Sequence, residues 1–215
     1  RDSVDSIDKS DGTPVTIADK ASSDYIVSKL APLGFPVVCE EIVNESFAVR
    51  EDWKQNWCID PLDGTKEYLK KNGEFAINIA FIDNHVSIFG IIISPVSKEV
   101  LFGGIETGVF IAQFDENGSI QQVEKIEPHF SRNNPIVLMA SRSYDTPSTI
   151  RFVSNLEKQV GEVIYKQKGS ALKFFDLARG IADIYPRFAP TMEWDIAAGQ
   201  AILEALGGEV LQLET

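Results

Sequence analysis

The run Asp60-Pro61-Leu62-Asp63-Gly64-Thr65 sets two carboxylates on either side of a Pro-Leu pair and closes on Gly-Thr. Hard divalent cations take oxygen ligands, and Mg²⁺ favours a few carboxylates together with phosphate oxygens. Pro61 fixes its own backbone and contributes no N–H, so the Leu62 carbonyl can turn toward a cation between Asp60 and Asp63. Thr65 opens a helix-like stretch, and a helix start offers backbone N–H groups to an anion. One hexapeptide therefore supplies both halves of a metal-assisted phosphate site. A plain turn is the competing reading of Asp-Pro-x-Asp-Gly.

Further acids sit at the ends of expected elements. Glu40 and Glu41 close an apolar run, where a solvated turn is the simpler account. Asp195 follows Trp194 at the head of the last helix, where an acid is favoured by the helix dipole alone. Thr16 and Asp19 read as an N-cap and a first-turn acid. His85 and His129 fall in a turn and a loop and receive no role, and Trp53 and Trp57 read as packing residues. Cys39 and Cys58, the two cysteines, each lie in an apolar run and read as buried free thiols, which fits a reducing compartment.

The elements that must position these residues follow from periodicity. A helix is expected over 16–33, with Ile26, Leu30 and Leu33 on one stripe. Short strands at 36–39 and 57–59 would deliver Glu40 and Asp60 at their C-terminal ends, where open α/β sheets place ligands. A short helix at 66–71 precedes the stop Asn72-Gly73. Strands follow at 75–82, with Phe75, Ile77, Ile79 and Phe81 on one face, and at 86–93, 100–102 and 109–114. The second half alternates strand and helix: 136–140, 146–160, 163–165, 170–179, 182–185 and 194–206. Residues 1–14 are polar and expected as a loop, and 210–213 read as an unfinished strand. The expectation is a mainly antiparallel α+β half over 1–130 joined to an α/β half over 131–215 in one catalytic unit.

Length and composition bound the alternatives. The 215 residues suit one large domain or two small ones, and 44% hydrophobic with 24% charged residues is ordinary for a soluble enzyme. The net charge of −12 argues against nucleic acid polymers and anionic membranes as partners. No apolar run approaches the ~20 residues needed to cross a bilayer. A cytoplasmic location is expected.

Taken together, Glu40, Asp60, Asp63 and Asp195, with Thr65 and Asp19, make an acidic set at element ends. With it come the runs 57–65 and 66–75, Asn78-Ile79-Ala80, Ala140-Ser141-Arg142-Ser143, Gly169-Ser170-Ala171-Leu172-Lys173, 184–191, and Trp194-Asp195-Ile196-Ala197-Ala198-Gly199. In this order they resemble the lithium-sensitive, Mg²⁺-dependent superfamily of inositol monophosphatases and fructose bisphosphatases. Within it the resemblance is to the CysQ-type 3′(2′),5′-bisphosphate nucleotidases, and it runs from Pro14 to Gly208.

The resemblance implies a layered αβαβα sandwich and two to three Mg²⁺ ions. Glu40, Asp60 and the Leu62 carbonyl would hold one, and Asp60, Asp63 and Asp195 a second. Glu40 would help hold a weaker third through water. Asp19 and Thr65 would orient and deprotonate the attacking water, and Gly64 and Thr65 would present N–H groups to the scissile phosphate. Ser170, Lys173 and Arg187 would join Asp195 in the substrate pocket, and Tyr185 or Phe188 could flank a base. The implied reaction is hydrolysis of adenosine 3′,5′-bisphosphate, or its sulfated relative, to release phosphate, in the setting of sulfur assimilation, by a monomer or homodimer. Two readings compete: the same chemistry on inositol monophosphate or a sugar bisphosphate, and a non-catalytic phosphate- or nucleotide-binding module. Lys70 and Lys71 suit a lid or a solvated helix face. The family carries a helix before 13–16 and a strand-bearing segment after Val210, so both ends are expected to be incomplete here.

Overall fold

The computed structural model describes residues 6–8, 14–142 and 146–212. Thr13, Ser143 and Leu213, named above, lie outside them. The expected loop over 1–14 is corrected where it is described. Strand β1 (Ser6–Asp8) pairs antiparallel with β2 (Pro14–Thr16). The hydrophobic pair Ile7 and Val15 is in register, and Pro14 takes the first position of its strand, where its missing N–H costs little.

Helix α1 (Ile17–Leu30) starts at Thr16, whose hydroxyl accepts from the Ala18 and Asp19 N–H groups. Asp19 answers by accepting from the Thr16 N–H at 2.7 Å, completing a capping box. A 3₁₀ turn over Ala31–Leu33 ends the helix. There follow β3 (Val37–Cys39), α2 (Phe47–Arg50), β4 (Gln55–Asp63), α3 (Thr65–Leu69), β5 (Ala76–Asp83), β6 (Val86–Ser94), β7 (Glu99–Gly104), β8 (Gly108–Phe114) and β9 (Ile120–Ile126). Strands β3 to β9 form one seven-stranded sheet in sequence order, with β3 and β4 parallel and the rest antiparallel.

Alternation along the strands buries both faces of this sheet. Cys39, Ile59, Ile77 and Ile79 pack with Ile26, Val27 and Leu30 of α1. Val38, Cys58, Ala76, Ala80, Ile92 and Leu101 face the other way. They meet Phe174 and Phe175 of α5 (Lys173–Ala178) and Ala197, Ala198 and Ile202 of α6 (Glu193–Ala205). In β5 the more deeply buried face is therefore Ala76, Asn78 and Ala80, not the larger Ile77 and Ile79 side. Small residues there admit α6 close to the sheet. At Gly90 of β6 a Cβ would lie 2.1 Å from the Ala198 carbonyl oxygen, so only glycine fits. Both cysteines are buried and unbridged.

A second, two-stranded parallel sheet pairs β10 (Ile136–Ala140) with β11 (Val163–Gln167), and α4 (Pro147–Val160) joins them. Val137 and Met139 pack on Leu177 of α5. The layers thus run helix, sheet, helices, sheet, helix. The strand expected at 182–185 is reduced to one bridge from Ile184 to Leu138. The Asp183 carboxylate takes the Val137 N–H at 2.7 Å, and Pro186 follows with no N–H to donate. Strand β4 runs longer than expected, through Asp63, with a register shift between Asp60 and Asp63. Pro61 and Leu62 sit in that irregularity, a position that tolerates proline. Residues 210–212 form no strand. Among the described residues no helix is long and apolar enough to cross a membrane.

Candidate metal and phosphate site

Three elements bring three carboxylates together. Asp60 and Asp63 flank the irregularity of β4, and Asp195 lies in the first turn of α6. One oxygen from each falls within 4.8 Å of the others. Each carboxylate is held from behind. The Leu62 N–H donates to Asp60 Oδ1 at 3.0 Å. Asp63 Oδ2 accepts from Ser170 Oγ at 2.9 Å and from the Ala171 N–H at 2.5 Å. Asp195 Oδ2 accepts from Thr191 Oγ1 at 2.8 Å and the Met192 N–H at 2.9 Å. Asp195 is thus both a first-turn acid of α6 and a close neighbour of Asp60 and Asp63.

The electrostatics of this trio are unfavourable without a cation. Asp60 is 1% exposed. Burial, then Asp63, Glu40 and Asp195, push its carboxyl well above the usual range. Burial and Asp195 raise Asp63 as well, against the opposing pull of Lys173. Hard oxygen donors, clustered and short of positive charge, fit a small divalent cation. Glu40 lines the same cavity and adds to the field at Asp60, but stands outside the close trio. Leu62 lines the cavity too, and its carbonyl accepts from Thr65 Oγ1 at 3.4 Å.

Thr65 opens α3 after Gly64, which holds a left-handed φ of 94°. That conformation is easy for glycine and turns the chain out of β4 into the helix. The Thr65 hydroxyl donates to Asp19 Oδ1 at 3.0 Å. Asp19 is 1% exposed and faces the cavity only through Thr65. The two residues expected to act together are thus in direct contact, with the threonine in front.

The same cavity is also lined by Lys173 and Arg187. Lys173, 2% exposed, donates to the carbonyls of Lys168 and Ser170 and lies 4.8 Å from the centre of the Tyr185 ring. Burial pushes its ammonium down to about 8, with Asp63 opposing the shift and Arg187 adding to it. Arg187 Nη1 donates to Ser141 Oγ at 2.9 Å, and that hydroxyl lies 3.4 Å from the Tyr185 oxygen. Ser170, which reaches Asp63, has φ 57°, a left-handed conformation that costs free energy in a non-glycine residue. Phe188 packs against Phe152 instead of lining the cavity.

Sequence reasoning gave no role to Arg142, Glu67 or Glu74. Arg142 and Glu67 line the cavity, and Glu74 binds Arg142 from outside its lining. The Glu74–Arg142 pair spans 68 residues, which no local spacing rule reaches. Glu67 would have looked like a solvated helix residue, yet it is buried and accepts from Asn72 at 2.6 Å.

The model of the inositol monophosphatase family matches residues 2–215. The 3′(2′),5′-bisphosphate nucleotidase CysQ of Escherichia coli K12 is 37% identical over 209 residues, covering 96% of this chain and 79% of that protein. The crystal structure of CysQ from Bacteroides thetaiotaomicron superposes with a TM-score of 0.81 at 41% identity, covering 93% of this chain and 76% of its own. An inositol monophosphatase/NADP phosphatase solved with Mg²⁺ and phosphate shares the fold, with a TM-score of 0.74 at 20% identity over 95% of this chain and 73% of its own.

Proposed function

The chain belongs to the inositol monophosphatase family, and we propose that within it this protein is a Mg²⁺-dependent phosphomonoesterase that converts adenosine 3′,5′-bisphosphate to AMP and phosphate. The observation that carries the choice of substrate is the polarity of one cavity. Its lining carries Glu40, Asp60, Asp63 and Asp195 together with Lys173 and Arg187. A substrate with two phosphates matches both sets of groups, one phosphate at the cation and one at the guanidinium, which pairs with phosphate in a fork. By the family resemblance, members that take inositol phosphate carry a carboxylate for the ring hydroxyls just before the Trp-Asp motif. The one acid between Arg187 and Trp194 is Glu193, and it is ion-paired with Arg50 at 2.5 Å, outside the lining of this cavity. The relatives named CysQ, at 37% and 41% identity, support the same choice.

Asp60, Asp63, Asp195, Glu40 and the Leu62 carbonyl would hold two to three Mg²⁺ ions. The bound cations would polarise the phosphate and make a water molecule more acidic. The protein's part is placement, which is most of what phosphoryl transfer requires. The Thr65 hydroxyl donates at shorter range to Asp19 than to the Leu62 carbonyl, 3.0 against 3.4 Å, so its oxygen would accept a proton from the attacking water while its own proton passes to the buried carboxylate. Backbone N–H groups of Gly64 and Thr65 point the phosphate at that water. Ser170 and Ala171 keep Asp63 fixed as charge shifts across the reacting bond.

A phosphate-release panel with Mg²⁺, with and without Li⁺, tests the reading. Faster release from adenosine 3′,5′-bisphosphate than from inositol 1-phosphate, with inhibition by Li⁺, is expected. Equal rates on the two substrates would sink the substrate assignment. No turnover on either would leave a non-catalytic binding module. A cytoplasmic role in sulfur assimilation follows from the same proposal.

A further inference from the structure

Arg142 lines the cavity, with 48% of its side chain exposed. Its guanidinium is nevertheless held. Nε and Nη2 donate to the two oxygens of Glu74 at 2.5 and 2.6 Å, a fork-to-fork pair. Glu74 Oε2 also accepts from the Gly169 N–H at 2.8 Å. Arg142 and the hydrogen bond from Gly169 hold the Glu74 carboxyl below its usual range. An exposed ion pair of ordinary geometry is worth little, but this one ties three segments that frame the cavity. They are the approach to β5, the end of β10, and the loop before Ser170.

A guanidinium has five N–H donors, and Glu74 engages two of them. The others lie on the far edge of the fork. Arg187 is bonded to Ser141, the neighbour of Arg142 in sequence. Arg142 and Arg187 thus line one cavity, the first held by Glu74 and the second by Ser141. Glu74 is not among the lining residues. Its carboxylate fixes the arginine without competing for the space in front.

We propose that Glu74 presents Arg142 as a second anion-binding group for the phosphate that is not transferred, so that Arg142 sets the preference for a bisphosphate. This rests on the bisphosphate reading above. Arg142 is the specificity residue, and Glu74 acts through it as a positioning residue. Arg142→Lys keeps the charge but loses the fork, so it restores little.

The test compares adenosine 3′,5′-bisphosphate with 3′-AMP, which lacks the second phosphate, in the Mg²⁺-loaded enzyme. For Arg142→Gln the ratio of kcat/KM for bisphosphate over 3′-AMP should fall about tenfold to a hundredfold, the range for a lost charged hydrogen bond. The change should lie mainly in KM. Glu74→Gln should shift the ratio the same way by less. By calorimetry, Arg142→Gln should weaken AMP relative to adenosine. If both variants slow the two substrates equally and lower the melting temperature together, the pair is a structural tether and the inference is overturned. If wild type hydrolyses the bisphosphate and Arg142→Gln leaves the ratio unmoved, this inference alone fails. If wild type releases no phosphate from the bisphosphate, the substrate reading fails and carries this one down with it.

Discussion

Asp60 is where catalysis and the stability of the metal-free fold pull in opposite directions. It is buried beside Asp63, Glu40 and Asp195, and all four effects disfavour its charge. Asp60→Asn should lower Mg²⁺-dependent phosphate release on the order of a hundred- to a thousandfold, as expected when a preorganised charge at the reacting centre is lost. The same variant should melt no lower than wild type without metal, and should lose the rise in melting temperature that Mg²⁺ gives wild type. A clear drop in metal-free stability would contradict the repulsion described here. Thr65→Ala should cost about a hundredfold or more in kcat if the hydroxyl relays a proton, while Thr65→Ser should recover most of it. Lys173 makes a prediction in pH. Its ammonium is held down to about 8, so it is charged below that pH and neutral above. kcat/KM for the bisphosphate should fall as pH rises past about 8, and Lys173→Met should flatten that limb. Stability runs the other way. Between about 8 and the unfolded value of 10.5 the unfolded chain binds the extra proton, so Lys173 adds stability as pH rises through that window.

At the scale of elements, helix α6 decides where Asp195 stands, and its seat on β6 depends on contact at Gly90. Gly90→Ala would drive a Cβ into the Ala198 carbonyl. Overpacking of this kind costs about 1–3 kcal/mol, or about 2–4 °C of melting temperature per kcal/mol in a domain of this size. Because α6 would shift with it, Mg²⁺ affinity should weaken as well, which thermal melts with and without the cation would reveal. Periodicity made α1, α4, α6 and most strands of the large sheet legible, although Leu33, expected on the α1 stripe, lies in the 3₁₀ turn beyond the helix and is 55% exposed. It missed β9, whose Gln121, Gln122, Glu124 and Lys125 carry no apolar alternation and lie exposed. It missed α2, a helix of four residues too short to show a stripe. It stopped β4 at Asp60 because proline reads as a strand breaker, whereas here the proline occupies a shift in register. Within the site, the Asp60–Asp63 pair was legible because both carboxylates sit in one hexapeptide. Asp195 and Glu40 gained meaning only from the family resemblance. The Glu74–Arg142 clamp stayed hidden because each partner alone looks like an ordinary surface charge.

Across the whole molecule, a net charge of −12 accompanies a site that gathers carboxylates. Mg²⁺ should therefore stabilise the protein beyond screening. At a hundred times its Kd a cation binding only the folded state adds about 2.7 kcal/mol. Melting in MgCl₂ against NaCl of equal ionic strength, with chelator reversing the gain, separates binding from screening. No difference between the two salts would count against a specific site. The large sheet has a further consequence at its two margins. A row of unpaired backbone groups on an outermost strand is a template for a neighbouring chain. Here one margin, β3, is three residues long, and the other, β9, carries Glu124 and Lys125. A molecule with so much buried β-structure is in this way kept from stitching itself to its copies. Replacing Glu124 and Lys125 with valine should leave the fold intact and turn a concentrated solution cloudy on standing.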